Sequence, residues 1–353
     1  MIAPSQDSVC VAIDCMGGDA APRVVFEGIA LCAHELGKVA LQLCGDPACI
    51  EPFFQETREK TRAYPVTLEV IPAEDVIPSD MKPAVAVRSH RNSSLGVAVR
   101  SVREHQAHAV LSAGNTGALM ALSKVMLGML EGIDRPAIAT FLPTMRGQSL
   151  VLDLGANAEC SARNLVDFCF LGEALAQIVL GVPSPSVGLL NIGSEETKGN
   201  HTVQEAADIL KHARILKNYA GFLEGTDICA GTADVVVTDG FTGNVVLKTI
   251  EGSIHFVKDR IKGAIRPSAG MWLSALLLRR SMKKIFANLD PRIYNGAVLL
   301  GLDALAVKSH GGADDFAFAQ ALKFTVNVAR QNLIGRVKGS LDKLSSLEEN
   351  TTL

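Results

Sequence analysis

The stretch VAIDCMGGDAAP, residues 11–22, joins an apolar run ending at Asp14 to a turn that contains Gly17, Gly18 and Asp19. This pattern is typical of a buried strand followed by a glycine turn at the start of a helix. The same order recurs along the chain. Strands are predicted at 9–13, 39–44, 66–71, 109–112, 137–142, 149–154, 186–191, 233–238 and 297–302. Helices are predicted from amphipathic stretches at 22–37, 83–104, 116–130, 161–180, 200–214, 241–265 and 314–334. The alternation predicts a three-layer α/β/α fold whose mostly parallel sheet binds ligands beyond the carboxyl ends of its strands.

Composition narrows the class of protein. The chain has 353 residues, 48% of them hydrophobic, and a formal net charge of −3 at pH 7. That charge argues against a nucleic-acid binder, for which a strongly basic surface is expected. The eight cysteines are scattered without a CxxC pair, which predicts buried, reduced thiols in a cytosolic protein rather than disulfides or a zinc site. No signal peptide or membrane span is expected, because no apolar run has the required length and flanks.

Five predicted strands end in turns that share one character, being rich in glycine and small polar residues. The turns are Asp14–Asp19, Ser112–Ala118, Asp153–Cys160, Asn191–Asn200 and Thr238–Lys248. Glycine lets backbone N–H groups approach a ligand, and a helix start offers unpaired donors, so the five turns together predict an anion site. Neither a Walker loop nor a clean GxGxxG motif is present, which argues against a nucleotide site of either kind. We expect the five turns to meet at one end of the sheet.

Basic side chains accompany these turns. Lys198 lies within the fourth turn, Lys248 follows the fifth by about two helical turns, and Lys82 and Arg88 belong to a predicted helix that starts at a proline. A converging set of Lys and Arg suits phosphate, with Arg as a bidentate clamp. The alternative for each lysine is an exposed, solvated side chain, and for Lys248 that alternative is favoured.

Eight blocks of the sequence resemble, in order, those of the phosphate acyltransferase family (PlsX). The blocks are IDCMGGDAAP, KPAVAVRSHRNSSL, SAGNTGALMALS, GIDRPAIATFLPT, LVLDLGANAEC, LLNIGSEETKGN, ADVVVTDGFTGNVVLKTIEG and YNGAVLLGLDALAVKSHGGAD, and together they span residues 9 to 334. Two departures are small. Cys15 stands where the family has Ala, and Ser194 lies in GSEETKG where some members have GEExxKG.

The resemblance implies a fold like that of phosphotransacetylases and isocitrate-type dehydrogenases, a homodimer and no redox cofactor. It implies an enzyme that makes acyl phosphate from an acyl-acyl carrier protein and inorganic phosphate. The product would serve a membrane glycerol-3-phosphate acyltransferase in bacterial phospholipid synthesis. The rival interpretations are a phosphotransacetylase or decarboxylating dehydrogenase of the same fold, and a non-catalytic module that binds lipid or carrier protein.

The resemblance suggests a direct attack of phosphate on the thioester, which needs no activated Ser or Cys. The protein has to hold a dianion against the carbonyl and stabilise the oxyanion that forms. Backbone donors around Gly117, Gly193 and Gly243, with Lys198 or Arg88, are predicted to bind phosphate. Asn115 and Asn244 are predicted to donate to the thioester oxygen. His310 is predicted to protonate the leaving thiolate, with a structural role in its loop as the alternative.

Three acids, Asp14, Asp19 and Asp239, would repel phosphate, so we expect them to orient the turns or to pair with the cations. Glu195 and Glu196 could hold a metal, but this chemistry needs none, and neither a metal nor a cofactor is predicted. The remaining predicted substrate-binding residues are Gly17, Gly18, Lys82, Thr116, Asn157, Asn191, Glu195, Gly240, Thr242 and Lys248.

A basic stretch runs from Val257 to Ile285, with eight Lys and Arg residues against one acid, a net charge of +7. It also contains Trp272 and a cluster of leucines. It is interpreted as a helix at a dimer interface, as a surface at about 258–285 that touches anionic lipid, or as a docking site for acidic carrier protein.

We expect one catalytic domain over 1–335 with a helical excursion at about 250–292, and a polar tail over 336–353. The expected location is cytoplasmic, with peripheral membrane contact.

Overall fold

The computed structural model describes residues 9–213, 216–264, 290–339 and 341. Its strands are β1 (Val9–Asp14), β2 (Val39–Gly45), β3 (Val66–Pro72), β4 (Ala109–Ser112), β5 (Ala137–Thr144), β6 (Gly147–Leu152), β7 (Val187–Leu190), β8 (Tyr219–Leu223), β9 (Val235–Val237), β10 (Ala297–Leu300) and β11 (Leu305–Lys308). Its helices are α1 (Arg23–Leu36), α2 (Pro47–Thr61), α3 (Pro83–Ser89), α4 (Ser94–Arg103), α5 (Thr116–Leu127), α6 (Ala162–Leu180), α7 (His201–Ala213), α8 (Gly225–Ala230), α9 (Gly240–Ala264) and α10 (Asp315–Arg330).

One sheet contains the described strands, in the order β3-β2-β1-β4-β11-β10-β5-β6-β9-β7-β8. Strands β3, β2, β1, β4 and β11 form one parallel block. Strands β6, β9, β7 and β8 form a second parallel block. Between the blocks lie three antiparallel pairings: β11 with β10, β10 with β5, and β5 with β6. Because an odd number of reversals separates them, the two blocks run in opposite directions.

This reversal gives the sheet two functional ends. The carboxyl ends of β1, β4 and β11 lie at what we call the Asp14 end. The carboxyl ends of β6, β9 and β7 lie at the opposite end, which we call the Asp153 end. The six-residue strand β6 separates the two ends by about 20 Å, at about 3.3 Å per residue.

Helices cover both faces of the sheet, which confirms the predicted three-layer fold. On one face, Phe26 of α1, Phe168 of α6 and Phe318 of α10 are fully buried against alternate strand residues such as Ile13. On the other face, Leu95 of α4 and Leu119 of α5 pack with the intervening strand residues such as Val110. Strands in such a sheet are apolar on both sides, which explains the continuous apolar runs in the sequence.

Several elements differ from the sequence predictions. The helix predicted over 83–104 is two helices that break at His90. Strands β8 and β11 and helices α2 and α8 were not predicted. Helix α2 contains Pro52 and buries few side chains, so its apolar periodicity is weak. Strand β8 reads YAGFL, where glycine interrupts the β-branched pattern.

The structure describes only part of the basic stretch and of the predicted C-terminal tail. The basic stretch is described as far as residue 264, so Trp272 and the rest of it lie outside the described residues. Residues 333–339 are helical and Val337 is buried in the core, so the folded region continues beyond residue 335. Among the described helices, none combines the length and apolar content that a membrane crossing requires.

Candidate functional site

At the Asp14 end, a buried carboxylate ties three elements together. Asp14 closes β1, and it accepts hydrogen bonds from Ser94 Oγ at the start of α4 (2.6 Å) and from Ser112 Oγ at the end of β4 (2.7 Å). The backbone N–H of Met16 donates to the same carboxylate (3.3 Å). Burial raises the pKa of Asp14, while the hydroxyl hydrogen bonds act in the opposite direction. The acid therefore ties the end of β1 to the start of α4 and to the end of β4.

Glycines let the turns at this end touch one another. A Cβ at Gly17 would lie 2.7 Å from Gly114 N, and one at Gly18, whose φ is +109°, would lie 3.2 Å from Gly311 O. The exposed Asp19 belongs to the same junction, because its N–H donates to Gly311 O (2.9 Å). The turns after β1, β4 and β11 are thus packed backbone against backbone, which only glycine permits.

Lys308, at the end of β11, is a buried cation that the sequence analysis missed. Its Nζ donates to Ala113 O (3.1 Å) and to Ser309 O. Burial lowers the pKa of Lys308 to about 8, and the nearby carboxylates of Asp14 and Asp19 act in the opposite direction. This ammonium is engaged by the backbone, so it stabilises the junction of the turns.

Asn115 is engaged as well. Its Oδ1 caps α5 by accepting from Ala118 N (2.9 Å), and its Nδ2 donates to Ser79 O and Met81 O, both at 2.9 Å. This holds the 78–81 loop, and with it the start of α3, against α5. Lys82, Arg88 and Thr116 are exposed in this region, and Gly117 lies against Pro83.

His310 is exposed beyond β11. The backbone N–H of His310 donates to Asn295 Oδ1 (2.9 Å), and its ring Nδ1 accepts a hydrogen bond from the backbone N–H of Gly312 (3.1 Å). The side chain is thereby oriented by its own turn. Asn295 also donates to Ser309 Oγ (2.8 Å), which links this turn to the segment before β10.

The Asp153 end is organised by a second buried carboxylate. Asp153 follows β6 and accepts from the backbone N–H groups of Ile138, Gly155, Ala156 and Asn157 at 2.8–3.1 Å. The Nδ2 of the buried Asn157 adds a bond of 2.9 Å. Burial raises the pKa of Asp153, and these hydrogen bonds oppose the shift.

The turn after β9 packs directly on this carboxylate. Gly240 N donates to Asn157 O (2.7 Å), and a Cβ at Gly243 would overlap Asp153 O. Asp239 accepts from both N and Oγ1 of Thr242 at 2.8 Å, which caps the start of α9. Asn244 follows, exposed, and its side chain lies over Gly155. No hydrogen bond of the Asn244 side chain occurs within the described part of the chain.

The turn after β7 presents Lys198. Asn191 Nδ2 donates to Lys198 O (3.1 Å), and Gly193 packs against the side chains of Lys198 and Glu195. Lys198 and Glu195 are exposed, and over the described ranges no ion pair involves Lys198 Nζ. The neighbouring Glu196 pairs with Lys211 (2.6 Å). Lys248 pairs with Glu251 (2.8 Å) on the exposed side of α9, so its side chain is turned to a surface ion pair instead of to the turns.

The prediction that all five turns meet at one end is wrong for a single chain. The turns after β1 and β4 lie at the Asp14 end with Lys82, Arg88 and His310. The turns after β6, β7 and β9 lie at the Asp153 end with Lys198 and Asn244. The physical reason is the antiparallel insertion of β10 and β5, which reverses the second block.

Sequence reasoning missed four side chains that organise the two ends: Ser94, Ser112, Lys308 and Asp153. Ser94 and Ser112 lie 80 and 98 positions from Asp14, so no local pattern joins them. Lys308 was detectable as a lone Lys at the end of an apolar run, LAVK. Asp153 was detectable as the acid that opens its turn, as Asp14 opens the turn after β1.

Comparison with known proteins gives a consistent family. A family model described as a fatty acid synthesis protein matches residues 9–336. A phosphate acyltransferase of Paramagnetospirillum magneticum is 44% identical over 344 residues, covering 97% of this chain and 96% of the relative. A phosphate acyltransferase of Caulobacter vibrioides is 45% identical over 341 residues, covering 97% of this chain and 94% of the relative.

Solved structures agree on the fold. A phosphotransacetylase from Streptococcus pyogenes aligns with a TM-score of 0.59 at 16% identity, covering 93% of this chain and 95% of that one. The EutD phosphotransacetylase from Staphylococcus aureus aligns with a TM-score of 0.55, also at 16% identity and with the same coverage. At this identity the likeness concerns the fold alone, and it confirms the phosphotransacetylase-like architecture that was predicted.

Proposed function

The chain belongs to the fatty acid synthesis protein family whose model matches residues 9–336, and from that premise we propose that it is a phosphate acyltransferase. The proposed reaction transfers the acyl group of an acyl-acyl carrier protein to inorganic phosphate. A phosphate oxygen attacks the thioester carbonyl, the C–S bond breaks, and the products are acyl phosphate and the carrier-protein thiol. The name shared by the relatives supports this assignment.

Our choice of site rests on which polar side-chain donors are already hydrogen-bonded to the protein and which are exposed. At the Asp14 end, Asn115 and Lys308 are engaged by backbone carbonyls, while the exposed Lys82 and Arg88 lie at the N-cap and in the last turn of the seven-residue helix α3 instead of in a strand-end turn. At the Asp153 end, Lys198 and Asn244 present exposed donors: Asn191 ties the turn of Lys198, and Asn244 lies beside the turn that the buried Asp153 holds. A site that stabilises charge in a transition state needs oriented donors that no protein group occupies. We therefore place phosphate transfer at the Asp153 end.

Each residue there has a distinct role in this proposal. Lys198 supplies a compact positive charge for the phosphate dianion, and Asn244 Nδ2 donates to the oxyanion that forms from the thioester carbonyl. Asn244 also lies in the first turns of α9, where the helix dipole adds partial positive charge. Asp153, Asn157, Asp239 and Thr242 act as positioning residues, with Asn191, Gly193, Gly240 and Gly243 forming the close backbone floor.

The Asp14 end takes a structural role in the same chain, with Asn115 and Lys308 as its main ties. His310 lies at the end opposite Lys198, so it can protonate the leaving thiolate only from a second copy of the chain. We retain the homodimer as part of the proposal, with a direct test. Mixing His310→Ala and Lys198→Ala variants restores about a quarter of the activity if two copies share one centre. If His310 and Lys198 of different copies do not share a centre, the mixture is no more active than the two variants measured separately.

Three finer features follow from the resemblance and the basic stretch that begins at Val257. We propose that this stretch docks acidic acyl carrier protein and touches anionic lipid, which places the protein at the cytoplasmic membrane surface. The acyl phosphate would then pass to a membrane glycerol-3-phosphate acyltransferase. Release of a Trp272→Ala, Leu277→Glu variant from anionic vesicles, with turnover in solution preserved, supports the lipid contact. Unchanged vesicle binding contradicts it.

The activity itself is tested by incubating the purified protein with hexadecanoyl-acyl carrier protein and phosphate, and trapping acyl phosphate as its hydroxamate. We expect turnover that depends on both substrates. Turnover only with acetyl-CoA would favour a phosphotransacetylase, and a reaction only with a nicotinamide cofactor would favour a dehydrogenase. No turnover with any donor would favour a binding module.

The site is tested by the double variant Lys198→Ala, Asn244→Ala. Removing one oxyanion donor costs about 10²–10³ in rate, so the double variant should lose at least that factor. Lys211→Ala is the matched control, because Lys211 is a nearby exposed lysine already paired with Glu196. Equal turnover in the double variant and the control would move the site away from the Asp153 end.

A further inference from the structure

An open cavity of about 1110 Å³ lies between the β5–β6 hairpin, α8 and the middle of α9. Its wall is largely apolar and includes Pro143, Met145, Ile228, Cys229, Val245 and Ile250. Its volume slightly exceeds the 300–1,000 Å³ or so that is usual for small-molecule pockets. Nothing in the proposed phosphate chemistry accounts for this cavity.

Helix α9 forms the longest wall of the cavity with a single stripe of residues. The stripe contains Val245, Val246, Thr249, Ile250, Ser253 and Ile254. The spacing of three and four residues places them on one side of the helix. Val246 and Ile250 also pack on the core, whereas Val245 is 52% exposed. Met145, on the hairpin wall of the cavity, is 88% exposed. Large apolar side chains left exposed along one groove mark an interaction surface for a ligand or a partner.

The cavity begins where the proposed reaction site ends. Asn244, the proposed oxyanion donor, is followed directly by Val245, the first residue of the apolar stripe. From Asn244 to Ile254 the helix rises by about 15 Å, at 1.5 Å per residue. A ligand lying along α9 would therefore have its polar group at the Asp153 end and its apolar part against the hairpin.

We propose that this cavity binds the hydrocarbon chain of the acyl donor, with the thioester carbonyl at Asn244 and the methyl end toward Met145. The assignment rests on the proposed function and adds the place where the hydrocarbon part of the acyl donor lies. Each buried methylene contributes about a fourfold gain in affinity, so a groove of this length discriminates strongly between long and short chains. Acetyl groups would leave the stripe from Thr249 onward unoccupied.

Cys229 offers a probe that does not depend on turnover. It lines the cavity and is exposed, while Cys49 is exposed on α2, away from the cavity. The ligand is a non-hydrolysable hexadecanoyl phosphonate, compared with the acetyl phosphonate. We expect the long-chain ligand to slow maleimide alkylation of Cys229 by at least about tenfold, and to leave Cys49 unchanged. The acetyl ligand should protect neither thiol.

Other outcomes of this labelling overturn the proposal. Equal alkylation of Cys229 with and without the long-chain phosphonate means that the chain lies elsewhere. Cys229 that is shielded without ligand, and becomes reactive when the protein is diluted to monomer, means that a second copy covers the cavity.

Filling the cavity gives an independent test with turnover. Thr249→Trp and Ser253→Trp add bulk at exposed positions of the stripe, and His255→Trp is the matched control on the same helix outside the cavity. We expect kcat/KM for hexadecanoyl-acyl carrier protein to fall by about tenfold or more in the first two variants, and for butanoyl-acyl carrier protein by less than about twofold. Losses that are equal for both donors, or absent for both, contradict the chain site while leaving the proposed function intact. A wild-type protein inactive with both donors contradicts the proposed function instead.

Discussion

The two ends of the sheet use the same device for different purposes. Each places a buried aspartate at the carboxyl end of a strand, and burial raises the pKa of both acids. Asp14 binds side chains 80 and 98 positions away, whereas Asp153 binds mainly the amides of its own turn. The first arrangement is a clamp between distant elements, and the second is a rigid local turn. In the clamp, Ser94 and Ser112 use their hydroxyl donors on Asp14, whereas beside the local turn the Asn244 side chain keeps its donors free of the described residues.

The largest expected difference concerns two asparagines. Asn244→Ala should lower kcat by about 10²–10³-fold while leaving the free energy of unfolding within about 0.5 kcal/mol of wild type, because its side chain has no partner in the described chain. Asn115→Ala should do the reverse, since it removes a helix cap and the ties to the 78–81 loop. A loss of about 1 kcal/mol of stability is expected from the cap alone.

Steady-state turnover and urea denaturation of both asparagine variants measure this contrast. Stability loss at Asn244 with full activity, or a pure kcat defect at Asn115, would exchange the roles of the two ends.

The next prediction concerns the clamp. Asp14→Asn should destabilise the protein by about 3 kcal/mol, because it leaves a buried ammonium near an uncharged group and replaces an acceptor of two hydroxyls. Urea denaturation at constant m-value measures the loss. Asp80→Asn is the control, since Asp80 is exposed and a surface change should stay within about 0.5 kcal/mol. Equal stability of the two variants would mean that Asp14 does not hold the turns.

Burial of Lys308 at the Asp14 end should make the free energy of unfolding depend on pH. Its pKa is lowered by burial from 10.5 to about 8, so between these values the unfolded chain binds more protons than the folded one. The free energy of unfolding therefore gains an increment from Lys308 as the pH rises from about 8 to 10.5. Lys308→Met should abolish that increment. Buried thiols such as Cys10, whose pKa is raised to about 11, act in the opposite direction, so the difference between wild type and variant is the quantity to measure. Parallel curves for the two proteins would contradict the assignment.

The smallest effect is expected at Lys248. Its exposed ion pair with Glu251 is worth at most about 0.5 kcal/mol, and its side chain points away from the turns. Lys248→Ala should therefore leave kcat/KM within about twofold of wild type. A large activity loss in this variant would show that the helix surface takes part in substrate binding after all.

The sequence allowed much of the fold to be predicted, because apolar runs and glycine turns reflect local constraints. The turns after β6, β7 and β9 could be recognised as turns of one kind, because their glycines and hydrogen-bonding residues lie close together in the sequence. The clamp at Asp14 could not, because Ser94 and Ser112 reach it only through the tertiary fold. The sequence analysis did not predict the direction of the strands, and for this reason it placed all five turns at one end of the sheet. Only Met145 and Arg146 separate β5 from β6, a connection too short for a parallel crossover. That spacing implies a hairpin, and with it the reversal that separates the two ends.

The most direct test of this account is a crystal structure of the protein with hexadecanoyl phosphonate. The account predicts the phosphonate within hydrogen-bond distance of Lys198 Nζ, the carbonyl oxygen at Asn244 Nδ2, and the chain along α9 from Val245 to Ile254. A phosphonate bound between Gly17 and Gly312 at the Asp14 end, with the cavity along α9 empty, would contradict it.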